Sequence, residues 1–595
     1  MARIFGKVWL LDGKWHMEGE PHLLIRAKRI FARIWAAEHG VVTLKNTDEI
    51  CRDIEWFIDR YPMQLSPGDK RILERGSKRH IETMATLDQL IDQNYTGREF
   101  KMGLPPRDYQ KLAASILLER GFLLLADELG TGKTVSALAS LTDKRTLPAI
   151  VVTLTGTMPM QWQSMTWRFM PSLTTHVINK GTPYELPKIK ARGPDVVIVN
   201  YHKLTGWAET LAAYGKSIIF DECQELRRAG SKKYEGAVHI ARQMRFRLGC
   251  SATPIFNLGG EIWNVVNVLQ EDALGTWQEF LREWCYGERS YDGKAPAVRD
   301  PKALGSYLRS EHIMLRRTRK DIGRELPPCT KIPQYIDSDE SAIDSVQDSA
   351  KELAKIIMSN EKVAGWDRMK AAEEFSQVMR QATGIAKAPY VADFIRMIVD
   401  GDDEPVLVFA WHRAVYDILM SKLNDLAPSM YTGTESAGKK QEALDRFVKG
   451  ETKVLLMSLR SGVGVDGLQH MCRTVIFAEL DWTPGVHDQC VGRVFRDGQK
   501  EPVTAVFLVA ERGADPVMAE TLGLKTAQLE GIRDPDKPLV EQKVNVDHIK
   551  KLAERYLDKA GRKQTIEFPK EEEPDHDEEE DSEEEESDVE VEEDA

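Results

Sequence analysis

The stretch Asp127-Glu128-Leu129-Gly130-Thr131-Gly132-Lys133-Thr134 constrains this chain more than any other. The apolar run Phe122-Leu123-Leu124-Leu125-Ala126 leads into it, and Val135-Ser136-Ala137-Leu138-Ala139 follows as a helix. A strand, a glycine-rich turn and a helix N-terminus gather backbone N–H groups into a nest that holds phosphate. Gly130, Thr131 and Gly132 make the turn. Lys133 would reach the β/γ-phosphates, and the Thr134 hydroxyl would sit on Mg²⁺. Asp127 stands where the strict pattern has its first glycine, so the motif alone would pass over this loop.

At 595 residues the chain exceeds one hydrophobic core, and two to four domains are expected. No run approaches 18 apolar residues, which excludes a membrane-spanning helix. The first residues carry no apolar segment of signal-peptide length, so the chain is not expected to be secreted. Seven scattered Cys without a Cys-x-x-Cys pair point to a reducing compartment and away from a zinc module. The net charge of −13 is misleading: residues 571–595 hold 18 of the 94 acidic residues and no Lys or Arg. The remainder, 81 basic residues against 76 acidic ones, is net +5, which allows a nucleic-acid partner.

Residues 1–95 read as a small α+β accessory domain. Two short strands flank an Asp12-Gly13 turn, and helical patterns follow near 46–60 and 69–92. From residue 96, β-rich runs at 122–126, 149–153, 195–199, 217–220 and 245–249 alternate with helical patterns, the signature of a parallel sheet. A second set follows at 406–410, 453–457, 474–478 and 505–509. The expectation is an α/β chain of two lobes, at 96–328 and 391–540, joined by a helical linker at 329–390. A terminal helix at 541–567 and a disordered acidic tail at 568–595 complete it.

Within the first lobe, Ser217-Ile218-Ile219-Phe220-Asp221-Glu222-Cys223-Gln224 is an apolar strand ending in two carboxylates. Beside a phosphate loop, Asp221 is placed to hold a Mg²⁺ water shell and Glu222 to polarise an attacking water. Ser251 and Thr253 follow another apolar strand, where they can link a nucleotide to a bound polymer. Gln110 can read an adenine edge through two hydrogen bonds, with Arg107 or Tyr109 packed on the ring.

Together these pieces resemble superfamily-two helicases, and within them the Swi/Snf-related DNA translocases. Ser251-Ala252-Thr253-Pro254-Ile255-Phe256-Asn257 is similar to the third family motif, and Leu315-Arg316-Arg317-Thr318-Arg319-Lys320-Asp321-Ile322 to the segment that joins the lobes. Ser461-Gly462-Val463-Gly464-Val465-Asp466-Gly467-Leu468-Gln469 resembles the fifth motif. Gln489-Cys490-Val491-Gly492-Arg493-Val494-Phe495-Arg496-Asp497-Gly498-Gln499 resembles the sixth. Thr383-Gly384-Ile385-Ala386-Lys387-Ala388-Pro389 is similar to the annealing, fork-remodelling branch. Gln224 stands where the family has His, and Phe495 where a His is common.

The resemblance implies two tandem RecA-like lobes, ATP and Mg²⁺ as cofactors, and translocation on double-stranded or branched DNA by a monomer. It assigns nucleotide contacts to Gly464 and Asp466 and coupling to Gln224, Ser251, Thr253 and Gln489. Arg493 and Arg496, three apart and so on one helical face, become arginine fingers, a DNA phosphate clamp being the alternative. Backbone contacts to DNA fall on Thr155, Gly156, His202, Arg460, Ser461 and Gly462, and contacts of that kind do not read sequence. The expected location is nuclear in a eukaryote, and cytoplasmic or nucleoid-associated otherwise. Two readings compete: a strand-separating DNA or RNA helicase, and a nucleic-acid-bound scaffold with weak or no ATPase. For the leader, junction sensing through the Trp9–Trp15 hairpin and plain packing against the first lobe stand as alternatives. Removal of the residues after 568 is expected to tighten DNA binding at low salt, read by fluorescence anisotropy; unchanged affinity rejects an autoinhibitory tail.

Overall fold

The Asp12-Gly13 turn brings two positive-φ residues, at 50° and 70°, to the tip of a hairpin, the geometry that a two-residue connection between twisted strands requires. It joins β1 (Gly6–Leu11) to β2 (Lys14–Gly19). With β3 (Trp35–Glu38) and β4 (Val41–Lys45) these make an antiparallel sheet in the order β1-β2-β4-β3. The computed structural model describes residues 3–520 apart from 32–34, 39, 93–97, 157, 190–191, 256–257, 287–295, 324–325, 359–364, 461–464 and 466, and also residues 522 and 534. The expected terminal helix and acidic tail lie outside these residues.

Helix Asp48–Arg60 places Ile50, Ile54 and Phe57 in the core of the small sheet, and helix Pro67–Asp92 packs along it. Thr47 caps the first by accepting from the Ile50 N–H at 3.2 Å. Trp15 is fully buried in this domain, its indole donating to Asn46 Oδ1 at 3.0 Å, while Trp9 stays half-buried and stacks on His16. Lys45 reaches across to Glu271 and Asp272 at 3.0 and 2.8 Å, and His312 meets Asp88 at 2.8 Å. The leader is thus docked on the first lobe. Strands β3 and β4 and the helix Pro21–Ile30 escaped the sequence reading.

The first lobe is a seven-stranded parallel sheet. Its strands are β5 (Phe122–Leu125), β6 (Ala149–Thr153), β7 (Thr175–Val177), β8 (Val196–Asn200), β9 (Ser217–Asp221), β10 (Phe246–Cys250) and β11 (Met314–Leu315), in the order β11-β5-β10-β9-β6-β8-β7. Helices lie on both faces, so the strands are apolar throughout rather than alternating. Alternation survives in which core they serve. Leu124, Ile150 and Phe220 enter one core, and Leu123, Leu125, Val151 and Ile219 the other. Each such fully buried side chain stabilises by about 1.5–3 kcal/mol relative to exposure. Because all the strands run parallel, β5, β6, β8, β9 and β10 end on one edge of the sheet. Cys250 lies beside both Leu125 and Asp221, and Thr153 beside Asn200.

The second lobe is a six-stranded parallel sheet of β12 (Cys329–Ile336), β13 (Val406–Ala410), β14 (Ser429–Tyr431), β15 (Val454–Ser458), β16 (Thr474–Phe477) and β17 (Val503–Ala510). The order is β12-β17-β16-β13-β15-β14. The segment read as a helical linker therefore opens with an eight-residue strand that pairs along its full length with β17. Lying at the edge and largely exposed, it needs no apolar run, and it tolerates Pro333. No helix among the described residues is long and apolar enough to cross a membrane.

The long helix Gly365–Asp402 follows, and its Thr383-Gly384-Ile385-Ala386-Lys387 stretch docks it onto the second sheet. Thr383 Oγ1 accepts from the Ala514 N–H at 2.9 Å. A Cβ on Gly384 would lie 2.7 Å from Glu479 Oε1, so only glycine admits that carboxylate. Lys387, with no exposed surface, donates to Leu508 O at 2.7 Å and Asp515 Oδ2 at 2.6 Å. A buried pair is costly to break because the remaining charge stays buried. Lys387→Ala is expected to destabilise this lobe by about 3–5 kcal/mol. The double change Lys387→Met with Asp515→Leu should recover most of that loss. Urea denaturation of the three proteins checks it.

Candidate functional site

Gly130 and Gly132 adopt φ of +78° and +80°, a turn that glycine permits and side chains resist. A Cβ on Gly132 would stand 2.6 Å from Gln110 Nε2, so the loop is also closed to side chains sterically. The helix Lys133–Ser140 starts at its end. Lys133 folds back, donating to the carbonyls of Asp127 and Glu128 at 2.8 and 3.1 Å. Burial pulls the Lys133 pKa down, opposed by Asp127 and Glu222. Tyr109 and Gln110 brace the loop: the phenol donates to Thr131 O at 2.7 Å, and the Gln110 amide to the same oxygen at 3.1 Å. Gln110 Oε1 accepts from the Arg107 N–H, and the Arg107 side chain is exposed. The residues expected at the base thus line the loop.

Asp127, in the place of the missing glycine, has its own work. It is 1% exposed and accepts from the Arg317 backbone at 3.0 Å and guanidinium at 3.1 and 2.5 Å. Arg316 Nη1 donates to Ala126 O at 2.9 Å, and its Nε to the buried Asp534 at 3.0 Å. Arg319 donates to Leu129 O and its backbone N–H to Glu128 Oε2. The segment joining the lobes therefore clamps the phosphate loop, a role that no spacing in the sequence discloses.

Asp221 and Glu222 emerge at the end of β9, one strand removed from the loop. Burial, then the charge of Glu222, push the Asp221 carboxyl up to about 7, with Lys133 acting against them. Trp162 donates its indole N–H to Asp221 Oδ2 at 2.7 Å, and Tyr201 its hydroxyl to Asp221 O at 2.8 Å; neither was singled out from the sequence. Glu222 is held at φ +53°, uncommon for a non-glycine residue and a feature that clusters at functional sites. Gln224, in the histidine place, donates to Glu222 Oε2 at 2.6 Å. Its Oε1 is buried with no partner among the described residues, as is the nearby motif's Thr253 Oγ1, while Ser251 Oγ accepts from the Thr253 N–H at 3.0 Å.

The second lobe closes on this edge. A Cβ on Gly492 would lie 2.6 Å from Leu129 Cδ1, and one on Gly130 lies 3.7 Å from the Asp497 N. Arg319 spans the join: Nη2 donates to Phe495 O at 2.9 Å, and the guanidinium lies over the Phe495 ring at 4.7 Å. Phe495 thus gives up the polar role of a histidine for a cation–π contact. Burial and then Arg496 pull the Arg493 pKa down, and Glu222 acts against them across the cleft. Arg496 Nη1 donates to Val465 O at 2.9 Å. Gln489 is half-buried on the helix Pro484–Val491. Ser461, Gly462, Gly464 and Asp466 lie outside the described residues.

Thr155, Gly156 and His202 are exposed beyond the ends of the adjacent strands β6 and β8, next to β9. Arg460 follows β15, pairs with the buried Asp481 at 3.0 Å and lies over Trp411. The chain also brings together Lys133, Thr134, Asp221 and Glu222. An ammonium, a glycine-shaped nest and hard oxygen donors fit the phosphates of a nucleotide and a small divalent cation.

Residues 52–385 match the family model "SNF2-related domain", more than half of the chain, and residues 389–498 match "Helicase conserved C-terminal domain". The mouse (Mus musculus) DNA annealing helicase and endonuclease ZRANB3 is 26% identical over 77% of this chain and 43% of its own length. The Caenorhabditis elegans SWI/SNF-related matrix-associated actin-dependent regulator of chromatin subfamily A-like protein 1 homolog is 25% identical over 77% of this chain and 65% of its own. The chain thus spans less than two thirds of the length of either. The Sulfolobus solfataricus SWI2/SNF2 ATPase core in complex with dsDNA matches at a TM-score of 0.35 and 18% identity, over 74% of this chain and 95% of that one.

The arginine-bearing segment stands on a buried histidine. His487 Nε2 accepts from the Asp481 N–H at 3.1 Å, and its ring packs edge-on against Phe477 and Phe507. Burial pulls its pKa from 6.5 to about 4. The folded-state value is depressed, so its contribution is intact above 6.5 and is lost as pH falls toward 4, where the unfolded chain binds the proton and the folded one does not. The loss runs at about 1.4 kcal/mol per pH unit. Thermal unfolding across this range should show a shallower acid slope in His487→Gln than in the natural chain.

Proposed function

The chain belongs to the SNF2-related family, and from that premise we propose that it is an ATP-dependent translocase on double-stranded DNA that remodels or anneals forks and branched DNA. The observation that carries the reading is the seating of Gly492–Asp497 of the second lobe on the phosphate loop of the first. The names of the curated relatives, an annealing helicase among them, support the fork-remodelling side of it.

In this reading the loop nest and Lys133 bind the β/γ-phosphates of ATP. Thr134 and Asp221 hold Mg²⁺, which supplies positive charge to the phosphates when bound. Glu222 orients and polarises water. Arg493 and Arg496 come from the other lobe, so their charge reaches the γ-phosphate only when the cleft is closed. Turnover is then tied to lobe movement. Thr155, Gly156 and His202 on one lobe and Arg460 on the other grip the DNA backbone in turn, and the protein advances. Such contacts make affinity fall with salt and leave it indifferent to sequence.

The fingers give the sharpest test. Arg493→Ala is expected to lower ATP turnover on the order of 10³–10⁵-fold with folding intact. Turnover should be measured without nucleic acid and with blunt duplex, single-stranded DNA, forked DNA and RNA, with Lys133→Ala as the blank. Stimulation by blunt duplex, rising further on forks, is the expected result. Stimulation by single strands or RNA alone would replace the proposal with a strand-separating helicase. No turnover above the blank would leave a nucleic-acid-bound scaffold.

A further inference from the structure

Two buried aromatic side chains converge on Asp221, one from the helix that follows Thr155 and Gly156 and one from the turn that holds His202. After β6 the chain passes the exposed Thr155 and Gly156 and enters the helix Met158–Phe169. Trp162, little more than one turn into that helix and 2% exposed, donates to Asp221 Oδ2 at 2.7 Å. After β8 the chain turns through Tyr201–Lys203. Tyr201, also 2% exposed, donates to the backbone oxygen of Asp221 at 2.8 Å, and its neighbour His202 is exposed. Side chain and main chain of Asp221 are therefore held from the helix after β6 and the turn after β8, at the same edge of the sheet.

Three physical features make this more than packing. The rotation of an Asp carboxylate about its last bond is soft, so a donor must set it. An indole has a single N–H and no acceptor, and a buried one needs its partner. Hydrogen bonds weaken steeply with distance and angle, so a small rigid movement of the helix alters the hold on Oδ2. Each aromatic residue gives its one side-chain donor to Asp221; Trp162 lies on the helix that follows Thr155 and Gly156, and Tyr201 immediately precedes the exposed His202.

We propose that Trp162 and Tyr201 are positioning residues that pass a duplex contact at Thr155, Gly156 and His202 to the metal-holding carboxylate of Asp221. The inference rests on the nucleotide and duplex reading given above and assigns its coupling to two named hydrogen bonds. The Trp162 and Tyr201 bonds are already made.

Coupling between two ligands is reciprocal, so it can be measured by binding alone. The affinity of the full chain for Mg²⁺ with a non-hydrolysable ATP analogue is measured by titration calorimetry, with and without saturating blunt duplex. Duplex affinity is measured by anisotropy with and without the analogue. In the natural chain both ratios should depart from one by the same factor, about fivefold or more. Trp162→Phe keeps an aromatic ring, though a smaller one, and removes the N–H, and its factor should fall to within about twofold of one; Tyr201→Phe should lower the factor part of the way. An unchanged factor in Trp162→Phe overturns the proposal, and so does equal weakening of both ligands with the factor preserved, the mark of a merely structural role. A factor of one in the natural chain overturns it while leaving the proposed function standing. Failure of the natural chain to bind the analogue or duplex at all overturns both.

Discussion

The buried carboxylate of Asp127 is the constraint on which the rest of the site depends. At 1% exposure it is matched by Arg317, which meets it with both backbone and guanidinium. That pairing fixes the segment that leaves the first lobe against the phosphate loop. Arg316 and Arg319 then fall on the carbonyls at either end of the same turn. A glycine at position 127 would have completed the phosphate pattern and lost the clamp. Here a departure from a motif is the signature of a different structural duty.

From that clamp the geometry runs outward. Arg319 reaches Phe495, which places the arginine-bearing segment of the second lobe on the loop. The second lobe is made rigid behind it by buried polar pairs rather than by apolar contact alone. His412 and Glu479 meet at 2.6 Å, Lys387 and Asp515 at 2.6 Å, and the Asp481 N–H donates to His487. Each pair is desolvated, so each favours one register of helix against sheet, and the wrong register would strand a charge or, at His487, a buried hydrogen-bonding group. The Thr383-to-Lys387 stretch, read from sequence as a family signal, is in structural terms a docking surface.

Much of the fold was legible. The apolar runs became strands within a residue or so, because a parallel sheet covered on both faces admits little else. In the two lobes, the strands that escaped were of another kind. β7, β11 and β14 are two or three residues long, and β12 is a largely exposed edge strand without an apolar run. At the site, Lys133, Thr134, Asp221, Glu222, Arg493 and Arg496 were named from motif and position, and the structure gathers them at one cleft. Trp162 and Tyr201 were not named. An aromatic residue nine positions past a strand looks like core until its N–H is seen to end on a carboxylate.

The sequence by itself determined the local chemistry. A glycine turn before a helix, two carboxylates at a strand end, and arginines three apart each follow from neighbours along the chain. Periodicity and backbone preference act over that range. Only the tertiary structure decided what joins them: that Asp127 answers Arg317 across 190 residues, that Arg319 lies between the loop and Phe495, and that a helix and a turn share Asp221. Those contacts depend on strand order and on which charges are desolvated together. Both are properties of the packed whole, and neither is written in the spacing of residues.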